Sequence, residues 1–96
     1  MKVEIQNRDL RVRWQYDLPD GHGYNKVWCF IESKPSDGLE PIQQFASIKR
    51  YFKDVHNKEV ARRSSLKKVL REHGYEKADR KVFWEAYLQR NQLVKV

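Results

Sequence analysis

Ninety-six residues suffice for one domain with a single modest core, and hardly for a second. A 40% hydrophobic content with three Trp, five Tyr and four Phe excludes wholesale disorder. The formal net charge of +7 favours anionic partners: nucleic acid, an acidic protein face or an anionic membrane surface. The opening stretch MKVEIQNRDLRVRW is charged every few residues and holds no signal-peptide core. No later run approaches the roughly 20 apolar residues that cross a bilayer. The expectation is therefore a cytoplasmic single domain over residues 1–96, without membrane association.

In chain order, LRVRWQY (10–16) alternates Leu10, Val12, Trp14 and Tyr16 against Arg11, Arg13 and Gln15, the period of a half-buried strand. DLPDGHGYN then supplies a structured loop too long for a two-residue hairpin turn. KVWCFIES (26–33) is apolar on both faces, with Val27, Cys29 and Ile31 on one and Trp28 and Phe30 on the other, as expected of a central strand. Cys29 is the sole cysteine, so no internal disulfide forms, and its apolar surroundings predict a buried structural thiol. KPSDGLEP repeats the turn chemistry and ends the strand.

Residues 42–52 admit two readings, because Phe45, Ile48, Phe52 and Val55 also fit helical spacing. From Asn57 the pattern is clearer. Asn57 can cap, Glu59 favours the first turn, and Leu66, Val69, Leu70 and His73 share a face, while Gly74 terminates; this predicts a helix from Lys58 to His73. A second helix follows, with Asp79 as its cap and RKVFWEAYLQRN as its body. Its apolar residues wrap most of the circumference, leaving Lys81, Glu85 and Gln89 as a narrow polar stripe.

The segment KDVHNKEVARRSSLKKVL resembles a set of small phage and prophage proteins of mostly unassigned function. The resemblance rests on Asp54, Lys58, Glu59, Val60, Ala61, Arg62, Arg63, Ser65, Leu66 and Leu70. Ala61 stands where those proteins usually carry glycine, and Ser64 where they carry an apolar residue. The resemblance implies that QQFASIKR is a third strand, giving an α+β fold: a three-stranded antiparallel sheet packed against two carboxy-terminal helices, in the order β-β-β-α-α. It also implies a bacterial host, and an accessory protein acting on host nucleoprotein machinery, such as an inhibitor of a CRISPR-type defence system.

No catalytic constellation is visible, and no enzymatic activity, cofactor, metal or small-molecule substrate is expected. His22, His56 and His73 do not stand at ligand spacing with Cys29 or with one another, and the glycines do not form a phosphate-cradling loop. His22 lies in a glycine-flanked loop whose composition serves the backbone, and His73 suits a helix carboxyl end. Binding chemistry is better represented. Arg63, Lys67 and Arg71 recur every four residues as a helical stripe, while Arg11, Arg13, Lys49 and Arg50 lie on the strands. Together these seven residues are the candidate surface for nucleic acid or an acidic partner, provided that sheet and helix present them on one face. No amide side chain is placed for base reading, so contact would be to backbone or shape. Trp14 and Tyr16 are assigned to core packing, and Tyr24 and Tyr75 to exposed contact. The alternative is a protein-interaction module or homodimer acting through the apolar last helix.

Overall fold

The computed structural model describes residues 1–33, 38–51 and 58–94, with side chains except for residues 51 and 90–94. Four strands, β1 (Lys2–Ile5), β2 (Arg8–Tyr16), β3 (Tyr24–Ser33) and β4 (Gln43–Tyr51), precede α1 (Lys58–Glu72) and α2 (Lys77–Val94). The strands form an antiparallel meander in the order β1-β2-β3-β4. The α+β class and the two carboxy-terminal helices are as expected, but the sheet has four strands and not three. The extra strand is Lys2–Ile5, joined to β2 through Gln6 and Asn7. Both residues take positive φ (50° and 65°), the geometry of a two-residue hairpin turn whose twist matches its flanking strands. The pair Met1–Val12 extends the ladder: the Val12 amide donates to the Met1 carbonyl (2.7 Å), and the Met1 ammonium donates to the Val12 carbonyl (2.9 Å).

β3 is central and pairs with β4 from Tyr24–Tyr51 to Glu32–Gln43, so the ambiguous segment is a strand up to Tyr51. The expected cap Asn57, with Lys53, His56 and the rest of 52–57, lies outside the described residues. Alternation puts Val3, Ile5, Leu10, Val12, Cys29, Ile31 and Ala46 on one face, where they pack against Leu66, Val69 and Leu70 of α1 and Phe83 and Tyr87 of α2. Ala61 and Ser65 are also buried on α1, and their small size lets that helix approach β3 and β4 closely. The Ser65 hydroxyl donates back to the carbonyls of Ala61 (2.9 Å) and Arg62 (3.0 Å), so its burial leaves no unmet polar group.

α1 ends one residue before His73. The Tyr75 amide donates to the Leu70 carbonyl (3.1 Å) and the Gly74 amide to that of Arg71 (3.2 Å), with Gly74 at φ 68°. This paired arrangement closes a helix through a left-handed residue that glycine adopts without strain. His73 is consequently exposed in the turn and not on the apolar face. α2 begins at Lys77, so Asp79 sits inside its first turn, where its charge suits the helix dipole, and does not cap it. Phe83 and Tyr87 are fully buried, whereas Val82 and Leu88 are exposed. No helix among the described residues is long and apolar enough to cross a membrane.

Candidate functional site

The helices cover one face of the sheet, and among the described residues nothing covers the other. The strand period sends Trp28 and Phe30 of β3 and Phe45 of β4 to that open face. The three rings form one patch, with centroids 6.1 Å apart for Trp28–Phe30, 5.9 Å for Trp28–Phe45 and 6.2 Å for Phe30–Phe45. Phe45 is 57% exposed and the other two are half-buried. Trp28 is held in place by its indole N–H, which donates to the Asp17 carboxylate at 2.8 Å. A patch of rings held on two paired strands, with Phe45 exposed at its surface, suits the stacking of planar groups.

Cations border the rings. The Arg13 guanidinium lies 4.1 Å from the Phe30 centroid while its Nη2 contacts Glu32 Oε1 at 3.0 Å, so the side chain is pinned flat against the platform. The Lys26 ammonium stands 5.8 Å from the Trp28 ring, and its cross-strand partner Lys49 is exposed on the same face. Arg11 is exposed one row beyond Arg13, opposite Glu32. Farther out, a groove of about 760 Å³ is lined by Lys2 and Arg11 but also by Glu4, Asp9 and Glu32, so its charges largely compensate one another. Because Glu32 also pairs with Arg13, the net positive field on this face falls at Lys26 and Lys49, beside the rings.

The seven basic residues drawn from the sequence do not form one surface. Arg11, Arg13 and Lys49 share the open face. Arg50 alternates to the helix-covered face, where its Nε donates to Asn25 Oδ1 at 3.3 Å. Arg63, Lys67 and Arg71 are exposed on the side of α1 opposite its buried face, and so point away from the sheet altogether. The proviso of a common face is not met, because α1 packs on the face that the strand arginines avoid. Lys68, on the flank of α1, donates to the Ser47 carbonyl of the outermost strand at 2.7 Å and acts as a tether.

Sequence reasoning missed Trp28, Phe30 and Phe45 as a set, and Lys26 with them. The signal was present in β3, whose second apolar face is wholly aromatic, but a strand covered on both sides gives the same pattern. Trp14 is a half-buried core-face ring, edge-on to Tyr87 at 5.9 Å, and its indole N–H donates to the Arg62 carbonyl. Tyr16 is on the same face but at its margin, 37% exposed. Tyr24 is exposed as expected, whereas Tyr75 is partly buried, its hydroxyl donating to Gln44 Oε1. In the loop before β3, Asp20 Oδ1 accepts the amides of His22 (2.8 Å) and Tyr24 (3.0 Å). The Tyr24 and His22 amides hold the Asp20 carboxyl below its usual range.

Together these features define a four-stranded antiparallel sheet with helices on one side and a cation-bordered aromatic platform on the other. No known family, curated protein or solved structure matches the chain.

Proposed function

We propose that the protein is a non-enzymatic binder of single-stranded nucleic acid, acting through the open face of its sheet. The observation that carries this reading is the uncovered patch of Trp28, Phe30 and Phe45 beside Arg13, Lys26 and Lys49. Unpaired bases offer the planar faces that such rings stack against, and the adjacent phosphates are met by the bordering cations. A duplex hides its base faces, so single strands are preferred. The formal charge of +7 adds long-range attraction. A phage-type accessory role against host nucleoprotein machinery is compatible with this chemistry and rests on the Lys53–Leu70 resemblance alone.

Self-association through α2 is the weaker reading. With Phe83 and Tyr87 committed to the core, Val82 and Leu88 are its exposed large apolar groups among the described side chains, and six positions apart they lie about 120° around the helix. They make no continuous stripe.

The test is fluorescence anisotropy of a labelled mixed-sequence single strand across a salt series. Affinity should fall steeply with salt, and Arg13→Gln or Lys49→Gln should each reduce the slope of log K on log salt by about 0.7. Arg63→Gln and Lys67→Gln should change it little. No binding at low salt, or loss confined to the α1 variants, refutes the proposal.

A further inference from the structure

A second cationic cluster lies on the opposite face, at the end of the sheet where α1 begins, and the platform does not explain it. Three cations converge on one phenol. The Arg50 guanidinium carbon is 5.5 Å and the Lys58 ammonium 5.9 Å from the Tyr16 ring centroid, while Arg62 Nη1 lies 3.5 Å from the Tyr16 hydroxyl. Among the described residues none of the three is paired with a carboxylate.

The cluster is also built, and not a chance meeting of surface chains. Buried Asn25 accepts from Arg50 Nε and is itself fixed by donating from Nδ2 to the Asp17 carbonyl at 3.1 Å. Arg62 is anchored through its carbonyl, which accepts the Trp14 indole N–H at 3.1 Å. Arg50 Nη1 and Arg62 Nε are buried without a hydrogen-bond partner among the described residues, so each guanidinium keeps a donor to spare. Burial opposes the Arg62 charge, but the phenols of Tyr87 and Tyr16 outweigh it, and its pKa lies above the ordinary value. Cations gathered on one phenol, none of them paired with a carboxylate among the described residues, favour an anion that bridges them.

We propose that Arg50, Lys58, Arg62 and the Tyr16 hydroxyl form a binding site for a phosphate group. A tetrahedral oxyanion meets donors from three elements there: the Arg50 guanidinium on β4, the Tyr16 hydroxyl on β2, and Lys58 with Arg62 on α1. Its position on the helix side makes it separate from the platform, so it stands or falls independently of single-strand binding.

The experiment follows the arginine Nε–Hε signals by NMR while inorganic phosphate is titrated into the protein at ionic strength held constant with chloride. The Arg50 and Arg62 signals should shift saturably with phosphate and remain unmoved by chloride. Lys58→Gln, at an exposed position that leaves the core intact, and Tyr16→Phe should each weaken the phosphate response at least about threefold, and Phe45→Ala should leave it unchanged. A non-saturating response, an equal response to chloride, or indifference to both site variants overturns the site. Two further arms separate sources: a larger shift with a 5′-phosphorylated oligonucleotide than with its dephosphorylated counterpart assigns the site to a terminal nucleotide phosphate, and equal shifts alongside a saturable inorganic response assign it to free phosphate.

Discussion

Replacing Phe45 by alanine separates stacking from folding, because this ring is the most exposed member of the platform. Truncating a fully buried phenylalanine costs about 3–5 kcal/mol. With 57% of Phe45 exposed, the expected loss of stability is about 1–2 kcal/mol, read from the midpoint of a urea transition. Removal of one base-stacking aromatic costs about 1–3 kcal/mol of binding, which is a loss of roughly 5- to 140-fold in affinity for a single strand. Anisotropy of a labelled oligonucleotide at low salt measures that loss, and Val82→Ala on α2 serves as a control at another exposed apolar position. Because Arg13, Lys26 and Lys49 stay in place, the salt slope should be unchanged while the intercept drops. An affinity within about twofold of the parent protein, in a variant that remains folded, would refute stacking as the basis of recognition.

Two further outcomes test the fold. Burial pushes the Cys29 thiol up to about 12, whereas an unfolded thiol ionises near 8.5. Between those values the unfolded chain has released the proton and the native state retains it, so stability falls as pH rises, by at most about 1.4 kcal/mol per unit. Comparing urea midpoints at pH 8 and pH 10 should show a larger drop for the parent than for Cys29→Ala; equal drops would contradict the assignment. Asn7 holds φ 65° in the first hairpin, so Asn7→Ala should destabilise by about 1 kcal/mol and Asn7→Gly should be near neutral by the same measurement.

Much of the fold was legible because its signals were local and redundant. Period-two alternation marked β2, turn clusters bounded β3, and Gly74 closed α1 within a residue of its predicted end. β1 escaped because Val3 and Ile5 are only two apolar positions, and Gln6–Asn7 lacks the glycine that usually announces a tight hairpin. Phe45 and Ile48 suggested a helix because a separation of three suits a helix face; in the strand they fall on opposite faces, which blurs the period-two signal. The site was harder. Alternation put Arg11 and Arg13 on one polar face, but Lys49 was grouped with Arg50, which the strand sends to the other side, and the side of the sheet that α1 would cover is a tertiary choice that no periodicity encodes. That choice parted the strand cations from Arg63, Lys67 and Arg71. It also turned Trp28 and Phe30 from presumed core into surface, and brought Arg50, distant in sequence, to Tyr16 and Arg62.

The central claim, that the uncovered face of the sheet recognises single strands, is tested most directly by mapping amide and side-chain NMR shifts as a short oligonucleotide is titrated in. The account predicts saturable changes at Arg13, Lys26, the Trp28 indole and Phe45, with Arg63, Lys67 and Arg71 unmoved. Shifts confined to α1 or α2, with the Trp28 indole signal unchanged at saturation, would contradict it.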